Sequence, residues 1–211
     1  MDGDSLTPSN DYNLKLDRGL SAFDFRQRWT TSFLYELPIG KGKALGGGMN
    51  RLADSLLGGW QIGGIATLQS GFPFTIYCGS GSVQNGGDNC YPDNVGGMSS
   101  LPSDQRGLNK WFNVQNFVNR INDPSQPQFR YGNNARNNII GPPLVGVDFS
   151  TSKNFRFAEK RGLEFRTEFF NVLNHPIFGQ PGTTVGTPNF GVITSTRVDS
   201  REIQFALKLN Y

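Results

Sequence analysis

From Ile203 to Tyr211 the chain alternates without a break: Ile203, Phe205, Leu207, Leu209 and Tyr211 are apolar or aromatic, while Gln204, Ala206, Lys208 and Asn210 are polar or small. Successive side chains of a strand point to opposite sides, so this run makes one apolar and one polar face, with Glu202 on the polar one. Lipid outside and water inside require that split. A half-buried strand of a soluble sandwich alternates in the same way, so the pattern gains meaning only through repetition upstream.

It does repeat. Phe25, Gln27, Trp29, Thr31, Phe33, Tyr35 and Leu37 alternate with Arg26, Arg28, Thr30, Ser32, Leu34 and Glu36 until Pro38-Ile39-Gly40 ends the run. After a connection rich in Gly and Lys, Trp60, Ile62, Gly64, Ala66, Leu68 and Phe72 oppose Gln61, Gly63, Thr67, Gln69 and Gly71. Farther on, Val145, Val147, Phe149, Phe155 and Phe157 oppose Asp148, Ser150, Ser152, Asn154 and Arg156. A tight turn at Ala158-Glu159-Lys160-Arg161-Gly162 follows, and Leu163, Phe165, Thr167, Phe169 and Leu173 then oppose Glu164, Arg166 and Glu168 until His175-Pro176. The expectation is an all-β chain of about five long antiparallel strands, forming an open, curved segment of a transmembrane barrel.

Between residues 73 and 143 the alternation disappears for about seventy residues, far beyond an ordinary connection, so this long loop is expected to be either functional or poorly ordered. Its clusters Gly86-Gly87-Asp88-Asn89 and Asn133-Asn134-Ala135-Arg136-Asn137-Asn138 are turn chemistry. The short aromatic pieces Trp111-Phe112 and Phe129-Arg130-Tyr131 are candidates to tie it down. A second loop runs from Gly179 to Ser200, with Phe190-Gly191-Val192-Ile193-Thr194 expected to pair at its rim.

Connections alternate between shorter and longer, as in outer-membrane barrels. With the C-terminus on the periplasmic side, the turn at 158–162 lies there too and both long loops lie outside. The connection from Pro38 to about Leu57 then also falls on the periplasmic side, longer than that rule prefers. Tyr35, Trp60, Phe157, Phe165 and Tyr211 would gather at this rim, where amphipathic aromatics form a belt.

Composition excludes competing classes. Hydrophobic residues make up 36%, and no stretch approaches the roughly 20 consecutive apolar residues of a spanning helix. Twenty basic against 17 acidic side chains give +3, with the basic ones scattered, so no nucleic-acid partner is expected. The opening Met1-Asp2-Gly3-Asp4-Ser5 has neither a basic nor an apolar signal region, so the chain is either cytosolic or the tail of a longer exported precursor.

Catalytic signatures are weak. Gly40-Lys41-Gly42-Lys43-Ala44 lacks the upstream Gly and the Ser/Thr of a phosphate loop, and reads as a basic turn. Cys78-Gly79-Ser80-Gly81 lacks the first Gly of a nucleophile elbow, and the one histidine, His175, precedes a proline. Two cysteines and one histidine match no zinc spacing. The expectation is no enzyme, no cofactor and no metal site. In an oxidising compartment Cys78 and Cys90 are candidates for a disulfide, which would contribute about 3 kcal/mol by closing their loop. Gln61, Gln69, Glu164, Arg166 and Glu168 are the candidates for facing an aqueous lumen.

Several segments carry a family resemblance. They are Gly132-Asn133, Arg136-Asn137 and Gly141-Pro142; Lys153-Asn154-Phe155; Glu164-Phe165-Arg166-Thr167-Glu168-Phe169-Phe170-Asn171-Val172-Leu173-Asn174-His175-Pro176 with Phe178-Gly179; and Ile203-Gln204-Phe205-Ala206-Leu207-Lys208-Leu209. Upstream, Glu36-Leu37-Pro38-Ile39-Gly40, Gly58-Gly59-Trp60-Gln61 and Gln69-Ser70-Gly71-Phe72-Pro73-Phe74 fit the same series. In this order they resemble the C-terminal end of TonB-dependent receptors of the Oar-like type, over nearly the whole chain.

That resemblance implies an outer-membrane barrel of about 22 strands with a plug inside, energised through TonB and importing a bulky nutrient. It implies as partners outer-membrane lipid, the remainder of the barrel and plug, TonB indirectly, an unidentified nutrient and the barrel-assembly machinery. The last would read the closing strand through Phe205, Leu207, Leu209 and Tyr211. Neither a plug nor a TonB-contacting segment is recognisable, so the expectation is a C-terminal fragment of such a receptor. The alternative is a soluble β-sandwich module binding a ligand or carbohydrate, for which strands at closer spacing would be expected.

Overall fold

A computed structural model describes residues 8–9, 13–79, 90–119, 131–156 and 161–211. Phe157, positions 158–160 of the expected turn, the 86–89 cluster, Phe129, Arg130 and the opening residues 1–5 lie outside the described residues. The chain divides into two units: residues 28–69, 144–177 and 198–211 form one, and residues 1–27, 70–143 and 178–197 the other.

The first unit is an antiparallel sheet of five strands in the order β1-β2-β7-β8-β9. These are β1 (Arg28–Glu36), β2 (Trp60–Gln69), β7 (Leu144–Arg156), β8 (Gly162–Phe170) and β9 (Glu202–Asn210). At 9 to 13 residues they have the length of tilted membrane strands. All five fall where alternation predicted them, with trimmed ends. Phe25 and Phe72 stay outside their expected strands, because pairing stops at Arg28 opposite Gln69. Leu173 leaves β8 because the chain turns at Asn171, which has a φ of 49°.

Register is continuous across the sheet. Trp29 faces Leu68, Leu68 faces Val145, Phe149 faces Phe169 and Phe169 faces Ile203. Gly64 sits opposite Phe33, whose ring lies so close that an added Cβ would meet Cε1 at 2.6 Å; an aromatic thereby covers the gap that a strand glycine leaves.

The end of β8 is built on one asparagine. The Asn171 backbone N–H donates to Asp148 Oδ1 at 2.9 Å, while its side chain accepts from His175 N–H at 3.0 Å and donates to His175 O at 3.1 Å and Asp199 O at 3.4 Å. Asn174 in turn accepts from the Arg201 N–H at 3.0 Å, setting the start of β9. Asparagine suits this position because it tolerates the left-handed region and satisfies nearby backbone groups at once. Asn171→Ala is expected to cost about 2 kcal/mol, from lost side-chain bonds and a strained backbone; Asn171→Gly relieves the strain alone and should cost less. Urea midpoints of the refolded variants in detergent check this, and wild-type midpoints for both would remove the role.

The connection from β1 to β2 contains a feature that alternation does not signal, a seven-residue helix, α1 (Arg51–Leu57). Asn50 caps it by accepting from the Ala53 N–H at 2.7 Å.

The second unit is not a loop in the ordinary sense. Phe74, Ile76, Phe112, Phe117 and Ile139 form a buried core, with Trp111, Val114, Val185 and Phe190 packed on it. Short pairs frame it: β3 (Pro73–Phe74) with β6 (Ile139–Ile140), and β4 (Asp93–Asn94) with β5 (Phe117–Val118). Between poor order and function, the described part of 73–143 is thus ordered. The Phe190 to Thr194 segment belongs to this unit as well: Phe190 bridges to Gly182, and the Ile193 N–H donates to Leu108 O at 2.7 Å.

Candidate functional site

The strand register sorts the sheet into two chemically different faces. Trp29, Phe33, Tyr35, Trp60, Ile62, Leu68, Val145, Val147, Phe149, Leu163, Phe165, Phe169, Ile203, Phe205, Leu207 and Leu209 share one of them. Many of these are exposed, Phe205 at 69%, so no layer among the described residues covers them. Gln61, Gln69, Glu164, Arg166 and Glu168 all lie on the other face, together with Lys208. There Glu164 sits directly across from Lys208, and Arg166 Nε lies 3.2 Å from Glu168 Oε1. Opposed charges along one face suit water or a polar filling, whereas the exposed apolar face suits lipid.

Tyr35, Trp60 and Phe165 gather at the end of the strands where the short connections lie, and Tyr211 follows β9 at that same end. Trp60 and Phe165 meet edge to face at 6.3 Å across Lys153. Lys153 stands out in the sequence only as part of the resemblance segment Lys153-Asn154-Phe155, and among the described strand residues it is the one charge on the apolar face. The fold accommodates it. Its ammonium lies 5.4 Å from the Trp60 ring centroid and 5.1 Å from that of Phe155, and donates to Gly58 O, leaving the residue 3% exposed. A lysine whose stem lies among rings while its head reaches a carbonyl beyond the strand end is a snorkelling arrangement.

The second unit holds a cavity of about 650 Å³. Phe23, Phe25, Phe72, Phe74 and Tyr77 supply aromatic walls, and Thr75, Asn137, Gln180, Thr183 and Arg197 supply polar groups. The Arg197 guanidinium lies 4.9 Å from the Phe72 ring centroid, and Phe25 meets Phe72 edge to face at 6.1 Å. Asn137 is committed to the fold: its Oδ1 accepts from Thr75 Oγ1 at 2.9 Å and its Nδ2 donates to Leu20 O at 2.7 Å. An apolar cavity with a few fixed polar groups is the usual shape of a ligand site. None of these residues stood out as a site in the sequence, because they come from five separated stretches. The run Gln69 to Phe74 was the one available signal.

Beside it, Cys78 and Cys90 are joined by a disulfide, with Cα atoms 5.3 Å apart, and the Cys78 N–H donates to Cys90 O at 2.8 Å. The next residue, Tyr91, donates its hydroxyl to Asp17 Oδ1 at 2.8 Å. Burial, then the bond to Asp17, pushes its phenol well above the ordinary tyrosine range, so it remains a proton donor. Among the described residues no group of three or more His, Cys, Asp or Glu side chains is placed to hold a metal ion.

A family model described as an outer membrane beta barrel domain matches residues 1–204. No curated protein and no solved structure matches the chain.

Proposed function

Since the chain belongs to the outer membrane beta barrel domain family, we propose that its sheet is a stretch of wall in a TonB-dependent receptor of the Oar-like type, one that takes up a bulky nutrient. An outer-membrane location and a place in the barrel wall come with the family. The observation that carries the proposal is the sheet: five strands, apolar on one exposed face and charged on the other, with β1 and β9 each having a neighbour on one side only. Lipid offers no hydrogen bonds to such edges, so further strands must continue the wall. A soluble sandwich would need a second sheet over the apolar face, and the other sheets among the described residues have two strands each.

Two features support a receptor over an open pore. The second unit has its own core and a ring-lined cavity with the Arg197 guanidinium in its wall, which suits selective capture. The ordered series of motifs from Glu36 to Leu209 points to the same receptors. In this reading a plug fills the lumen beside Gln61, Gln69, Glu164, Arg166 and Glu168, TonB supplies energy from the periplasm, and the assembly machinery reads Phe205, Leu207, Leu209 and Tyr211.

Uptake by cells that express or lack the intact gene tests the proposal, with labelled siderophore, cobalamin, oligosaccharide and peptide as probes. Expression is expected to confer uptake that stops when the proton-motive force is collapsed. Uptake that survives the collapse would replace the receptor by a passive channel.

A further inference from the structure

The helix between β1 and β2 is out of place in water. It has seven residues, none of them buried, and it exposes Leu52 at 77%, Leu56 at 67% and Leu57 at 55%. So short a helix is not stable by itself in water, and this one has no protein core to pack on. Yet it is tied down. The Asp54 carboxylate accepts from the Lys41 N–H at 2.6 Å, and the Asp54 carbonyl accepts from the Gly58 N–H at 2.8 Å. The indole N–H of Trp60 donates to Leu56 O at 3.0 Å, and Lys153 donates to Gly58 O.

These last two contacts fix its place. Trp60 and Lys153 stand opposite each other on the apolar face of the sheet, at the short-connection end. The helix is thereby joined to the rim of the lipid-facing surface, and its leucines stand exposed beside that rim. Leu52 and Leu56, four residues apart, share one side of the helix, and Asp54 lies on the opposite side. The charges nearby are mainly positive. Between Leu37 and Gly59 the chain has Lys41, Lys43 and Arg51 against the single carboxylate of Asp54, and all three basic residues are exposed. Lys43 lies 3.2 Å from Glu36.

We propose that α1 is an interfacial helix that docks on the bilayer surface, with Leu52 and Leu56 at the acyl boundary and Lys41 and Arg51 against the phosphates of anionic glycerophospholipids. Leucines at helical spacing with flanking cations are what such a surface binds. The proposal rests on the outer-membrane location and is independent of what is transported.

Hydrogen exchange of the intact protein, reconstituted in phosphatidylcholine vesicles with and without phosphatidylglycerol, tests it. Amides of residues 51–57 are expected to exchange about tenfold faster in Leu52→Ser/Leu56→Ser than in the wild type, since the two leucines that would enter the acyl boundary are lost, while β2 and β7 stay equally protected. Phosphatidylglycerol should slow wild-type exchange in this segment, and Lys41→Gln/Arg51→Gln, which leaves the leucines, the Lys41 N–H bond to Asp54 and the Trp60 bond to Leu56 O in place, should abolish that difference. Equal exchange in the wild type and the serine variant would overturn the docking. Wild-type exchange indifferent to phosphatidylglycerol would overturn the headgroup contact.

Discussion

Phe112→Ala is expected to unfold the second unit while leaving the five-stranded sheet in place. Phe112 is fully buried and is the centre of an aromatic cluster, with ring centroids 6.0 Å from Phe74, 5.7 Å from Phe117 and 5.2 Å from Phe190. Truncation removes the transfer energy of the ring and leaves a cavity that three neighbouring rings cannot fill without leaving their rotamers, at a cost of about 3–5 kcal/mol. Relaxation is restricted on one side: Gly191, at φ 78°, brings its backbone so close that an added Cβ would meet Val114 Cγ1 at 2.4 Å. Phe112→Leu keeps most of the volume and should cost less than about 1.5 kcal/mol. The measurement is hydrogen exchange by segment. Loss of protection at Ile76 and Ile139 with β7 and β8 unchanged is the expected result, and full protection in Phe112→Ala would mean that this cluster is not what holds the unit together.

Phe205→Arg is expected to cost about 2–4 kcal/mol, and Gln204→Arg, one residue away, far less. Phe205 lies near the middle of β9, opposite Thr167 and stacked at 6.4 Å on Phe165, on the exposed apolar face. Gln204 faces Glu168 on the charged face, where an arginine gains a carboxylate partner. A guanidinium at the first position must stay dehydrated near the bilayer midplane or drag water and headgroups inward; at the second it stays wet. Outer-membrane abundance of the intact protein carrying each change reads the difference. Equal abundance would exchange or erase the two faces assigned above.

The five strands were legible because each has a side that must differ from its other side, and period-two alternation records that requirement residue by residue. Glu164, Arg166 and Glu168 could therefore be placed together on one face from parity alone. The same rule was silent about α1, whose seven residues are too few for a helical period to emerge, although Asn50 three residues before Ala53 is a capping signal. It was silent as well about Lys153, where parity places a charge on the apolar face and says nothing of the two rings and the carbonyl that receive it.

Residues 70–143 show the limit most clearly. Phe74, Phe112, Phe117 and Ile139 carry no common period, since each is buried by residues far away in the chain rather than by its place in a regular element. Polar pairs there span equal distances: Thr75 meets Asn137 across 62 positions. Asn- and Gly-rich composition reads locally as turns, and it is the long-range closure of those turns around Phe74, Phe112 and Phe117 that makes a core. The sequence by itself therefore determined the sheet, its two faces and its medium, because a bilayer acts on every second residue of a strand. Only the tertiary structure decided the ordered second unit, its cavity and the cover over Lys153, because these depend on which distant residues meet, and no local periodicity encodes a meeting.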